Sequence, residues 1–163
     1  MSKMIFAAAP LALLLASCGG EAPKEEAATK PPTAMPMGEW EVTATVAKLQ
    51  STDNSTPATK RKQGETWTRK ACLAKPEDLA KLLLPEGENC TAVSNYARQG
   101  RINSAFTCRV AGKGDHTPTV AGLYTADTFE AEVSTASMFS GDGDYQMTET
   151  MQGKRLGDCA AAG

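Results

Sequence analysis

The sequence has one histidine, an aromatic content of only 6%, no Cys-x-x-Cys pair and no block of lysines and arginines. A single imidazole removes most zinc sites and every catalytic scheme that needs two. Without Cys-x-x-Cys, a thioredoxin-like redox motif and a zinc ribbon are disfavoured. The 17 basic against 19 acidic residues give a net charge of -2, without the basic face of a nucleic-acid binder. No Gly-x-Ser-x-Gly elbow occurs either. What is there is 163 residues, 41% hydrophobic and 22% charged, the composition of one ordinary folded domain rather than a disordered or polytopic chain.

Residues 1–17 read as a lipoprotein signal peptide. Lys3 supplies a short basic start, and Met4 to Ala16 form an apolar run of 13 residues. That is too short for a mature span, which needs about 18–20, and suits a signal-peptide core. The run ends in Leu15-Ala16-Ser17-Cys18, which resembles the bacterial lipobox, where the cysteine thiol becomes a thioether to diacylglycerol. Cys18 is therefore the expected lipidation site. More than one acyl chain, at ~0.8 kcal/mol per buried CH₂, holds a protein stably on a membrane. Gly19 rather than Asp after the cysteine resembles the outer-membrane sorting signal of enteric lipoproteins. The expected location is the bacterial cell envelope, lipid-anchored in the outer membrane and facing the periplasm.

Residues 18–37 carry the lipidated cysteine and then an Ala-, Pro-, Glu- and Lys-rich stretch without aromatic or β-branched apolar residues. Such a stretch buries too little to fold and reads as a disordered tether. A single β-domain is expected over residues 38–160. Removal of residues 1–17 takes away only Lys3, leaving 16 basic and 19 acidic residues.

From Gly38 onward the dominant pattern is period-two alternation broken by Gly, Asp, Asn and Pro, which predicts antiparallel strands. Trp40, Val42, Ala44 and Val46 share the apolar face of a first strand. A polar loop over residues 50–60 precedes a second strand, Gln63 to Leu73, around Trp67. Pro76 to Leu84 reads as the one helix, with Pro76 at the first position, Glu77 and Asp78 in the first turn and Pro85 as the stop. Later strands are expected near residues 117–125, 128–138 and 145–152, with Phe129, Ala131 and Val133 on one face. The fold class is all-β, an antiparallel meander of about seven strands, barrel or sandwich, with one short helix at about 76–84.

With Cys18 assigned to lipid, four cysteines remain, and an even number in an exported domain favours two disulfides. A three-residue loop Arg98-Gln99-Gly100, with Gly100 in the left-handed bulge position, registers the hairpin from Cys90 to Val110. Tyr96 then faces Ile102, Ala92 faces Phe106 and Cys90 faces Cys108, all on the apolar side. Cys90–Cys108 is the expected pair, and Cys72–Cys159 follows by elimination.

These blocks carry a resemblance. Gly38-Glu39-Trp40-Glu41-Val42-Thr43, Cys72-Leu73 with Pro76-Glu77-Asp78-Leu79, Cys90-Thr91-Ala92-Val93-Ser94, Thr107-Cys108 and Gly153-Lys154-Arg155-Leu156-Gly157-Asp158-Cys159 follow one another in the chain. Together they resemble a bacterial family of small exported proteins known as a domain of unknown function, with a G-x-W-E-V-T opening, four cysteines and a G-[KR]-R-[LI]-G-x-C ending. Here Ala74-Lys75 replaces the Thr that often caps the helix in that family. The resemblance implies architecture and export, and brings no catalytic residue.

Candidate chemistry is sparse. His116, beside Asp115, reads as part of a solvated loop over residues 112–118. Gly141-Asp142-Gly143-Asp144 holds two carboxylates like half a calcium loop but lacks the remaining oxygens, and reads as a hairpin turn. Met147 and Met151, with Met138, would suit Cu(I) but read as interior packing. Glu149 shares their parity and is expected either inward, paired with Arg69 or Lys70, or on a wetter face. Lys154 and Arg155 read as exposed. No catalytic residue, metal site or cofactor is expected. The function expected is a non-enzymatic binding or envelope-associated module without nucleic-acid partners, held to the membrane through the Cys18 lipid. It would take a small apolar ligand or an envelope protein against strands lined by Trp40, Trp67, Tyr96, Phe106 and Met147. The alternatives are a hydrolase with its site scattered across strands and a weak copper or calcium binder.

Overall fold

The computed structural model describes residues 30–160. Cys18 and the apolar run before it lie outside the described residues. Seven strands form: β1 (Gly38–Ser51), β2 (Thr66–Leu73), β3 (Asn89–Arg98), β4 (Arg101–Val110), β5 (Gly114–Tyr124), β6 (Thr128–Phe139) and β7 (Tyr145–Gly157). A 3-10 turn, Pro76–Asp78, leads into helix α1 (Leu79–Leu83) between β2 and β3. All strands join one antiparallel sheet in the order β2-β1-β7-β6-β5-β4-β3, curled into a half-barrel. The alternating pattern of the sequence does give an all-β fold with one short helix. The barrel stays open because β2 and β3, consecutive in the chain, are joined through α1 and not hydrogen-bonded to each other.

The chain thus has two ends and a side slot. Gly38, Leu73, Arg98 and Gly153 mark the near end, and Ser51, Thr66, Asn89 and Tyr145 the far end. The alternating apolar residues of β1, β4, β6 and β7 point into the curl, where Trp40, Phe106 and Phe129 are fully buried. Helix α1 fills the near half of the slot, burying Leu79, Leu82 and Leu83 against that core. Leu82 and Leu83, at i+3 and i+4 from Leu79, give a five-residue helix its apolar stripe. Asn95 Nδ2 donates to the Pro76 carbonyl at 2.9 Å and fixes the turn to β3.

Gly153 is required at its place. A Cβ there would enter the Phe129 ring, which lies against the β7 backbone and meets Trp40 at a centroid distance of 5.7 Å.

The hairpin joining β3 to β4 differs from the three-residue loop expected. Gln99 and Gly100 both have positive φ, 52° and 76°, and form a two-residue turn between paired Arg98 and Arg101. That is the turn whose twist suits an antiparallel ribbon. A bulge between Ala92 and Ser94 then shifts the register by one residue, so Cys90 faces Cys108 and Ala92 faces Phe106. Tyr96 consequently faces Asn103 rather than Ile102 and is 42% exposed. The structure bonds Cys90 to Cys108 and Cys72 to Cys159, the latter across 87 residues with Cα atoms 5.5 Å apart.

Residues 31–37 pack on the domain instead of leading freely away from it. Met35 is buried in the main core, Trp40 Nε1 donates to the Pro36 carbonyl at 3.2 Å, and Arg155 Nε donates to the Met37 carbonyl at 2.8 Å. Residues 31–37 therefore belong to the packed domain, ahead of the Gly38 boundary read from composition.

Candidate functional site

Inside the half-barrel the apolar core gives way to polar groups toward the far end and the slot. Glu149 sits between Met147 and Met151 on the inner face of β7 and is only 2% exposed. Its Oε1 accepts a 3.1 Å hydrogen bond from Trp67 Nε1 on β2. Burial pushes the Glu149 carboxyl above its ordinary range, partly offset by the Trp67 bond and the nearby Arg61 charge. Glu149 makes no ion pair with Arg69, and Lys70 points outward and is exposed.

The Trp67 ring is flanked by two guanidinium groups, Arg61 at 5.2 Å and Arg69 at 5.0 Å from its centroid. Arg61 comes from the loop over residues 52–65, which folds across the far end. Asp53 pins that loop, its Oδ2 accepting from the Gly143 and Asp144 amides at 2.8 and 3.0 Å. Two bonds from Ser55, with smaller help from these amides, lower the Asp53 carboxyl. Asp144 in turn accepts from Ser137 and from the Phe139 amide, so the Gly141–Asp144 segment is a turn tied to its surroundings.

His116 is not in a loop. Strand β5 begins at Gly114, and its Pro118 lies within the ladder opposite Thr135. His116 faces Cys108 across the β4–β5 pair and is buried. Its Nδ1 lies 3.1 Å from the Tyr145 hydroxyl and its Nε2 lies 3.3 Å from Glu88 Oε2. Burial, reinforced by the Glu88 charge, pushes the Tyr145 hydroxyl up to about 12, so it stays protonated at neutral pH. Asp115 turns away and pairs with Arg109. Met147 and Met151 are buried on the inner face, whereas Met138 is 65% exposed and does not join them.

A cleft of about 550 Å³ opens in the side slot beyond α1. Arg69, Ala71 and Cys72 of β2 form one wall, Ala80, Lys81 and Leu84 the near side, and Glu86, Glu88 and Cys90 the other wall. Arg69 is the odd member. Its Nε and Nη2 are buried, and among the described residues neither has a hydrogen-bond partner. Lys81 is occupied by Asp78 at 2.8 Å, which also lowers the Asp78 carboxyl.

The family described as "Protein of unknown function (DUF3617)" matches residues 29–159. The chain belongs to this family. No curated protein and no solved structure matches significantly. The DUF3617 match, residues 29–159, takes in the packed residues 31–37 and ends at Cys159, a disulfide partner.

The inner face of this DUF3617 domain is packed by its own apolar side chains, and the polar slot opens beside them. The sequence carried hints of Glu149, through its parity with Met147 and Met151. It offered Arg69 only as a partner for Glu149 and gave no sign of Glu88; the two line opposite walls of one cleft because the barrel does not close.

Proposed function

We propose that this DUF3617 protein is a lipid-anchored, periplasm-facing envelope protein that binds without catalysing. Its binding cleft is the slot between β2 and β3, and its ligand presents a carboxylate or phosphate to Arg69. The observation that carries this reading is the unpartnered pair of Arg69 nitrogens on the cleft wall. A buried donor left unsatisfied costs about 1–3 kcal/mol, and more when charged. A guanidinium fork matches the two oxygens of a carboxylate or phosphate and removes that cost.

Two further features support it. Both described cysteine pairs are bonded and both His116 ring nitrogens are engaged, which suits a framework more than a nucleophilic centre. Residues 32 and 33 lie at the near end, where the Tyr124 hydroxyl donates to the Pro32 carbonyl and the Gln99 amide to the Thr33 carbonyl. Twelve residues, 19–30, separate Cys18 from Pro31 in the sequence. A lipid on Cys18 would hold the near end toward the bilayer and leave the slot facing sideways, into the periplasm.

The test is thermal unfolding of the wild type and Arg69→Gln with rising inorganic phosphate or citrate. An anion at a hundred times its dissociation constant stabilises by about 2.7 kcal/mol. The wild-type midpoint should rise and that of the variant should stay flat. Equal shifts in both would remove Arg69 from the site. A large loss of stability in Arg69→Gln without anion would make Arg69 a structural residue.

A further inference from the structure

Three directly facing residues on adjacent strands, Cys90 on β3, Cys108 on β4 and His116 on β5, form one row across the sheet. Glu88, just ahead of β3, closes the row from the slot side, its Oε2 3.3 Å from His116 Nε2. One ligand atom from each of the four lies within 4.8 Å of all the others. We propose that this row is a thiol-gated site for a borderline-soft divalent cation, Zn²⁺ being the type, which opens when the Cys90–Cys108 disulfide is reduced.

The donor set fits such an ion. Two thiolates, one imidazole and one carboxylate are ordinary zinc ligands, at bonds of about 2.0–2.3 Å in a tetrahedron. Such bonds need ligand atoms roughly 3.3–3.8 Å apart, so modest side-chain movement suffices once the sulfurs separate. The backbone positions are set by two strand ladders that do not depend on the disulfide. Zinc-bound histidines usually have the other ring nitrogen held by a neighbour. Here Nδ1 is held by the Tyr145 hydroxyl at 3.1 Å, leaving Nε2 turned to Glu88. Glu88 and Cys90 both line the slot cleft, which gives an ion a way in from solvent.

The gating step balances as a thiol–disulfide exchange. A dithiol of the envelope attacks the Cys90–Cys108 bond, leaves as its own disulfide and transfers two electrons and two protons, giving two thiols. Those thiols release their protons to solvent as the cation binds. In the oxidised state the sulfurs are joined to each other and only Glu88 and His116 remain, too few to hold zinc tightly. This site stands whether or not the cleft takes an anion.

The test uses the full chain in detergent, oxidised or fully reduced by a phosphine, with bound zinc counted by elemental analysis after gel filtration. The control is Cys90→Ala/Cys108→Ala, in which Cys72 and Cys159 are reduced alike. Reduced wild type should hold one zinc more than both the reduced double variant and its own oxidised form. With Co²⁺ it should show a sulfur-to-metal charge-transfer band that the double variant lacks. His116→Ala should bind zinc at least tenfold more weakly. Equal zinc in reduced wild type and double variant, undiminished affinity in His116→Ala, or zinc on the oxidised chain would each overturn the site. If reduction alone abolishes the β-sheet circular dichroism, zinc must restore it in the wild type and not in the double variant. Failure to do so also overturns the proposal.

Discussion

Trp67 on β2 donates its indole hydrogen to Glu149 on β7, across the intervening strand β1, in a 3.1 Å bond that is the closest tie of a carboxylate otherwise sunk in the barrel. Burial raises the Glu149 pKa, with Glu88 and Glu65 adding to the rise and Trp67 and Arg61 opposing it. Arg69 feels the same carboxylate at longer range. A carboxyl with a raised folded-state pKa binds its proton more tightly folded than unfolded. Its favourable contribution is complete below the ordinary carboxylate pKa and is lost as the pH rises through the folded value. Glu149→Gln keeps an oxygen for Trp67 and removes the charge. We expect it to melt level with the wild type near about pH 4 and increasingly above it toward about pH 8. A wild type that instead gains on the variant with rising pH would mean that Glu149 works as an ion, paired through Arg69.

That Glu149 shares a face with Tyr145, Met147 and Met151 was legible from strand parity, but whether that face is the buried one was left open, and the partner is Trp67 rather than Arg69 or Lys70. The main core was legible for the same reason, from Trp40 through Ala44 and from Phe129 through Val133. His116 was misread. Gly112, Gly114 and Pro118 signal a loop, but Gly114 begins β5 and Pro118 sits within it, with the Thr117 and Thr119 hydroxyls bonding to the neighbouring strand. The hairpin was half legible. A two-residue turn and a compensating bulge give the same Cys90–Cys108 facing as a three-residue turn without one, and only the pairs from Ser94 to Ala97, Tyr96 among them, distinguish the two. The slot was illegible, because whether a seven-strand meander closes depends on the helical connection rather than on any strand. Its consequence for His116 is direct. His116→Ala should destabilise the domain by about 1–3 kcal/mol, read by urea melts, since it strands a buried Tyr145 hydroxyl; no change would return it to the status of a surface residue.

Gly153 and Phe129 provide a packing test. An added methyl at Gly153 occupies the space of the Phe129 ring, so Gly153→Ala must displace a fully buried aromatic. Overpacking of this kind costs about 1–3 kcal/mol. Adding Phe129→Leu makes room, so the double variant should lose less than the sum of the singles. Strict additivity by denaturant unfolding would show that the ring does not rest on the Gly153 backbone.

Lipidation at Cys18 is expected from Leu15-Ala16-Ser17-Cys18 at the end of the apolar run. The mature chain should begin at Cys18, carry acyl mass and partition with membranes. Cys18→Ser should leave an unprocessed or released form. A mature N-terminus elsewhere without acyl mass, by intact-protein mass spectrometry, would refute the anchor and with it the membrane-facing near end.

The two disulfides should differ in weight. Cys72–Cys159 closes 87 residues and ties the free edge β2 to the chain's tail, whereas Cys90–Cys108 closes 18 within one hairpin. In the chain-entropy account the long loop is worth about 4–5 kcal/mol and the short one about 3. The near end supplies a second reason for the order. Beyond β7 the chain is held by Arg155, which bonds Asp158 and the Met37 carbonyl, so the long bridge also secures the segment over which residues 31–37 are laid. Cys72→Ala/Cys159→Ala should therefore lower the unfolding free energy by more than Cys90→Ala/Cys108→Ala does, each measured in urea against the oxidised wild type. The inner row of strands would survive loss of the short bridge, because the ladders of β3, β4 and β5 hold Cys108 and His116 in place without it. The reverse order of losses would mean that the Cys90–Cys108 bond, and not the ladders, sets the position of His116.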